Sequence, residues 1–225
     1  MKKLMVVLAV PVMIVAALTV AEVTGGCGLW DATDEIWIGP ITQTFNFDLD
    51  ANDVRTMLEA RLGVSLAGQT EIPSQLGDIQ ETLEFETPPE KVDLTGEEDL
   101  KKYADAGNVK SVRIESVKYD ITQNTLNYDL PNLQMYMDDH DVTGLTQVSQ
   151  LIATIPVITA GTTGPGAVQW APDGQNILSD YLMSFKFAII GKATVEIDTS
   201  KTRAIPSGQM SGLVEVKVKF SVDPI

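Results

Sequence analysis

The sequence holds one cysteine and one histidine in 225 residues, only 6% aromatics, and 16 basic side chains against 31 acidic ones. Each scarcity excludes something. One cysteine, Cys27, excludes an internal disulfide. One histidine, His140, excludes the multi-histidine ligand set of a catalytic zinc, and any serine–histidine catalysis would have to run through that single imidazole. The formal net charge of −15 argues against nucleic acid as a partner, because phosphate contacts need clustered Lys and Arg. There is no Gly-x-Ser-x-Gly, and Gly161-Thr-Thr-Gly164-Pro-Gly166 lacks the Gly-Lys-Ser/Thr end of a phosphate-binding loop. Repeats and low-complexity tracts are missing too.

What is present begins with an export signal. Met1-Lys2-Lys3 is a positive start, and Leu4 to Val20 is an apolar run that ends before Glu22. The run nearly spans a bilayer, so a retained N-terminal anchor is the rival reading. Thr19-Val20-Ala21 suits ordinary signal cleavage. Thr24-Gly25-Gly26-Cys27 resembles a bacterial lipobox, with the small pair in place and Thr24 where that motif usually carries Leu. The resemblance implies residues 1–26 as signal peptide, lipid on Cys27, and a membrane as partner. An exported chain with one cysteine needs a use for that thiol other than a disulfide, and lipidation supplies one.

A chain starting at Cys27 keeps 199 of the 225 residues, enough for one domain with its own core. It has 14 basic side chains (16 less Lys2 and Lys3) and 30 acidic ones (31 less Glu22), a net charge of −16. Such a surface keeps a domain soluble and attracts cations without defining a site for them.

Residues 27–40 read as a tether and 41–225 as a single domain. Near the end of the chain, Val214, Val216, Val218, Phe220 and Val222 alternate with Glu215, Lys217, Lys219 and Ser221. That period of two predicts a strand with one buried and one wet face. Phe187, Ile189, Val195 and Ile197 predict its neighbour, joined by a hairpin at Arg203 to Gly208. Other strands are predicted over Ile41 to Leu49, Thr82 to Thr87, Val109 to Ile121 and, broken at Pro131, Leu126 to Met137. A phase slip at Glu115-Ser116 predicts a β-bulge. Helices are predicted from Asn52 or Asp53 to Leu62, stopped by Gly63; from a capping box at Thr95-Gly-Glu-Glu98 to Ala106; from Asp141 to Ile155; and around Ile177 to Leu182. Six or seven strands with turns between them give a mainly β fold, an antiparallel β-sandwich with short helical insertions. The layout resembles the β-sandwich domains of bacterial surface lipoproteins.

Three stretches could carry chemistry. Asp48, Asp50, Asn52 and Glu59 match positions 1, 3, 5 and 12 of a calcium-binding EF-hand loop. Asp53 stands where that loop needs Gly and Arg55 where it needs an apolar residue, so an acidic helix start takes precedence. Asp138, Asp139, His140 and Asp141 form the densest polar cluster; calcium is the metal its oxygens suit, and a solvated turn capping a helix is the plainer reading. Trp170, followed by Pro172-Asp173-Gly174, could stack on a sugar ring or a partner, or could simply anchor its own loop.

The function expected from these residues is that of a non-catalytic envelope lipoprotein with a binding or structural role. One alternative is a calcium-dependent or carbohydrate-binding module of the same fold. A second is a glycoside hydrolase using two unlocated carboxylates.

Overall fold

The computed structural model describes residues 36–223. The export segment and Cys27 lie outside the described residues. Among the described residues ten strands form two antiparallel sheets. The smaller contains β1 (Ile36–Asp50), β10 (Gln209–Val222), β4 (Val109–Asn124) and β7 (Gly164–Ala167), in that spatial order. The larger runs β2 (Gln80–Glu86), β9 (Lys186–Asp198), β5 (Leu133–Asp139), β6 (Gln150–Ile155) and β8 (Gln169–Trp170), with β3 (Glu90–Asp93) also pairing β9. The predicted class, an antiparallel β-sandwich with short helices, is what the chain forms. Strand β1 begins at Ile36, so residues 36–40 of the expected tether belong to the sheet.

The alternation in β10 does what its pattern dictates as far as Phe220; Ser221, expected on the wet face, is only 1% exposed. Val214, Val216, Val218 and Phe220 are buried, while Glu215, Lys217 and Lys219 stay half-exposed. Strand β10 is nevertheless not paired with β9. It lies between β1 and β4, and β9 belongs to the opposite sheet. The chain after β9 crosses the sandwich instead of folding back as a hairpin. Arg203 fixes that crossing: its guanidinium donates to the carbonyls of Ile72 (2.9 Å), Pro73 (2.9 Å) and Gly77 (3.0 Å). Gly208 ends it with φ +94°, where a Cβ would lie 2.0 Å from the carbonyl oxygen of Thr125, so only glycine fits.

Strand β4 carries the predicted bulge. Ser116 faces Lys217 and Ile114 faces Val218, leaving Glu115 without a partner in the ladder. Val112 and Ile114 are therefore neighbours of Phe220 and Val218 within one sheet, not residues of the facing one. Strand β4 runs on past the predicted end at Ile121, and Gln123 and Asn124 finish it.

The segment Asp141 to Ile155 is not a helix. Residues 140–149 form turns and β6 follows. Ile152, Ala153 and Ile155 are all buried, because β6 also lies under the start of helix α3 (Gly174–Ser184). A Cβ on Gly174 would sit 2.0 Å from the Ile152 oxygen, and Ala171 N–H bonds that same oxygen at 3.0 Å. A strand covered on both faces loses its alternation and reads like a helix. Leu126 to Leu130, on the N-terminal side of Pro131, forms no strand beyond a bridge from Leu130 to Ile158.

Helix α1 (Ala51–Leu62) is capped by Asp50, whose carboxylate accepts from Asn52 N–H at 2.8 Å, and stopped by Gly63 at φ 66°. Helix α2 (Glu98–Asp105) starts without the predicted capping box: Thr95 turns back to Asp93, and the N-cap, Glu97, makes no side-chain cap. Helices α1 and α3 each touch both sheets, α1 through β1 and β2, α3 through β4, β6 and β9. The core between the sheets joins Phe45, Phe47 and the β10 stripe to Leu83, Met135, Phe187 and Val195.

This arrangement makes β10 a central strand with one wet face. Phe220→Ala should lower stability by about 3–5 kcal/mol, since a fully buried ring is lost and a cavity remains. Lys217 and Lys219 pair with Glu215 (3.2 Å) and Glu115 (2.6 Å) in contact with water. Lys217→Ala and Lys219→Ala should each change stability by no more than about 0.5 kcal/mol. Urea denaturation midpoints at constant m-value check the contrast.

Candidate functional site

The β1–α1 corner gathers most of the predicted calcium ligands without aiming them at one point. Asp48 and Asp50 stand at the exposed end of β1, and the chain turns into α1 immediately afterwards. A calcium loop needs twelve residues of irregular backbone; here the ladder gives way directly to helix. Asp50 is occupied as the cap and also accepts from Asn52 Nδ2 at 2.8 Å. Glu59, two turns along, accepts from Leu66 N–H at 2.7 Å and ties down the loop after the helix. Among the described residues no three Asp, Glu, His or Cys side chains come together as an ion would require.

The same corner does form a cleft. It has a volume of about 220 Å³, a floor of Leu49, Val54 and Phe85, and a rim of Asp48, Asp50, Asp53 and Glu86. An acidic rim over an apolar floor repels anions and suits a cation with an apolar body.

The second cluster splits apart. Asp138 lies on the outer face of the larger sheet opposite Ala188, yet only 1% of it is exposed. Its carboxylate accepts from Asp139 N–H (2.7 Å), from Thr146 Oγ1 (2.6 Å) and from Ser149 Oγ. It is therefore not part of a solvated turn; it holds the 140–149 loop down over the sheet. Burial pushes this carboxyl up, but the bonds from Ser149, Thr146 and Asp139 outweigh it and hold it below the usual aspartate value. Asp139 and Asp141 are exposed, and Asp141 meets His140 Nδ1 at 3.0 Å. Glu86 fastens the other side of the loop, accepting from Leu145 N–H at 3.3 Å. Four consecutive residues on a strand end and a turn diverge, so only Asp138 faces inward.

Trp170 is half-buried in β8, pairs with Ala153 across the ladder, and packs against the core. Asp173, exposed, opens α3 at φ 59° and makes no side-chain cap. The ring thus closes the edge of the larger sheet, beside an exposed carboxylate.

Sequence reasoning missed Glu90. It starts β3 and reaches across to the edge of the other sheet, where its Oε2 accepts from Asn46 N–H at 3.1 Å. It lines a cavity of about 40 Å³ between the sheets, together with Phe45, Phe47, Met135, Ile189 and Val214. Burial pushes its carboxyl above the usual glutamate value, against the pull of the Asn46 bond. Only the tertiary approach of β1 to β3 creates this contact, so no local pattern announces it.

These two carboxylates act in opposite pH windows. Glu90 has a folded-state value above its ordinary 4.5, so its contribution is full below that value and is lost as pH rises through the folded one. Glu90→Gln keeps an acceptor for Asn46 and removes the buried charge, so it should flatten the loss of stability with rising pH above 4.5 in denaturant melts. Asp138 has a folded-state value below its ordinary 3.8, so its contribution is full above 3.8 and fades as pH falls further. Asp138→Ala strands two hydroxyls and an amide and should cost about 1–3 kcal/mol. It should also open the 140–149 loop to limited proteolysis at neutral pH.

No protein-family model matches the sequence, and no curated protein matches it. Among solved structures, the chain is similar to one from the mud crab tombus-like virus. That pair shares 8% identity over 97% of this chain and 95% of that one, at a TM-score of 0.29. It is also similar to one from Desmodium yellow mottle tymovirus, with 8% identity over 95% of this chain and 98% of that one, at a TM-score of 0.19. At those TM-scores neither likeness bears on function.

Proposed function

We propose that the protein is an exported, lipid-anchored β-sandwich of a bacterial envelope with a binding or structural role and no catalysis of its own. The observation that carries the reading is the junction Gly25-Gly26-Cys27. It sets the sole cysteine directly after two small residues and just beyond an apolar run opened by Lys2 and Lys3. Strand β1 starts at Ile36, so the chain between Cys27 and the first strand is short. At about 3.5 Å per residue it spans roughly 30 Å when extended. A domain held on so short a leash works at the membrane surface. What the protein binds there is a matter for the outer surfaces of the sandwich.

Lipid on Cys27 predicts metabolic labelling by palmitate and partition into detergent, and Cys27→Ala should abolish both. N-terminal sequencing of the mature protein gives an independent answer. A blocked terminus at Cys27 supports the anchor, whereas a free terminus at Glu22 would sink it.

A further inference from the structure

The free edge of β1 and the cleft at the β1–α1 corner lie side by side. Phe47 and Leu49 stand opposite Gly212 and Met210, and just beyond them Ala51 N–H donates to the Gly208 carbonyl at 3.0 Å. In an antiparallel ladder, pairs that exchange bonds alternate with pairs that do not. The odd positions here bond β10, and the even ones turn their N–H and C=O outward. Asn46 has the same phase, since its N–H leaves the sheet for Glu90. That carboxylate closes the edge at Asn46. Asp48, nearer α1, keeps an outward N–H and C=O with no backbone partner among the described residues. The cleft opens beside it, over Leu49, Val54 and Phe85. Its volume of about 220 Å³ takes one side chain, since pockets for drug-sized molecules start at about 300 Å³. Asp48 and Asp53 are exposed on its rim, and neither makes an ion pair among the described residues. No Lys or Arg lines the cleft. Lys192, opposite Glu86 in the ladder, is bound to Glu84 at 2.8 Å.

We propose that this corner docks a basic peptide in extended form. One peptide residue exchanges both backbone bonds with Asp48, adding a short strand to the β1 edge. Successive side chains of a strand point to opposite faces, so the next residue faces the Leu49 side and enters the cleft. A lysine or arginine there lays its apolar stem over Leu49 and Phe85 and brings its charge to Asp53 and Asp48. Three arguments choose this occupant. The first is charge: the rim is acidic, the chain carries a net −15, and the cleft has no cation of its own. The second is spread. No three acidic side chains converge among the described residues, so the rim suits an organic cation and not a bare metal ion. The third excludes a second copy, which would bring the same acids to the same edge and be repelled. The inference gives the proposed binding role a partner and rests on that role, not on lipid at Cys27.

The test titrates the full chain into a fluorescein-labelled, end-capped pentapeptide, Thr-Val-Lys-Val-Thr. Anisotropy reads affinity, and hydrogen exchange reads the Asp48 amide. Docking predicts saturable binding and a protected Asp48 N–H. Three changes should each weaken binding by about tenfold or more, the scale of one charge-assisted hydrogen bond. They are norleucine for the lysine, N-methylation of both valines, and Asp48→Asn/Asp53→Asn in the protein. Norleucine removes the charge, and N-methylation removes the backbone donors that plain charge attraction does not use. Absence of saturable binding, equal affinity for the N-methylated peptide, or unchanged binding by Asp48→Asn/Asp53→Asn overturns the proposal. So does butylamine binding as tightly as the peptide, which marks a site for small amines. A chain that elutes as a dimer, with the Asp48 amide protected before peptide is added, overturns it in favour of a second copy. Loss of palmitate labelling at Cys27 leaves this site standing, and failure of the peptide leaves the anchor standing.

Discussion

Everything in this sandwich is laid against one apolar stripe, Val214, Val216, Val218 and Phe220 on β10. These side chains are between 0% and 2% exposed, at the centre of the smaller sheet. Strand β1 pairs along the whole of one side of β10 and β4 along the other. The larger sheet, through Phe187, Val195, Met135 and Leu83, then closes over the same stripe. A shift of one residue in β10 would put Lys217 and Lys219 into the core and the valines into water, so its register is strongly specified. Phe185, just past α3, packs on Phe220 with ring centroids 6.1 Å apart, so the helix that bridges the sheets is referred to the same stripe.

That dependence explains which parts of the fold were legible in the sequence. Strands with one wet face announce themselves: β10, β4 with its bulge at Glu115, and the half of β1 carrying Phe45, Phe47 and Leu49. Turn and cap chemistry was legible where it is local, as at Gly63. What failed was whatever tertiary structure decides. Strands β9 and β10 look like partners because they are consecutive and both long. The crossing between them is fixed by Arg203 reaching carbonyls some 130 positions away. Strand β6 passed for a helix because α3 covers the face that would otherwise have been polar. Leu126 to Leu130 has strand-like alternation but no strand to lie against.

The candidate site divides along the same line. A cap at this point was legible because capping involves residues on the same short segment, but it was expected at Asn52 or Asp53 and falls on Asp50. Glu59 and Asp138 carry the acidity that suggests a metal, yet each spends it on a backbone or side-chain donor of a nearby loop. Glu59, in the last turn of α1, and Asp138, at the end of β5, each hold the loop that follows their own element. Glu90 had no signal at all, since its importance lies in joining the free edge of β1 to β3 of the other sheet. Closing an edge strand in this way withdraws an unpaired N–H from intermolecular pairing, and Pro40 and the bulge between Ile38 and Ile41 serve the same end.

The electrostatics of the whole chain then follow from how these acids are placed. Asp93, with Thr95 and Lys186 as partners, is held down to about 2, and Asp198 is lowered by Ser200 and Lys201 despite some burial. Asp138 and Asp141 are lowered as well. All four give up their contribution only when pH falls below 3.8, the ordinary value they start from. Among the carboxylates with a shifted value, Glu90 pulls the other way, favouring the folded state more as pH drops towards 4.5. Mild acid also removes part of a net charge of −15 and with it the self-repulsion of the compact state. The carboxylates in hydrogen bonds therefore set the acid limit of the fold, while Glu90 and the bulk charge erode it from the alkaline side. Stability should peak in the mildly acidic interval between those limits, above the isoelectric region near 4.3, where solubility is lowest. The fold should persist through mild acidification because Asp93, Asp138, Asp141 and Asp198 are already held as carboxylates by hydrogen-bond donors of the chain itself.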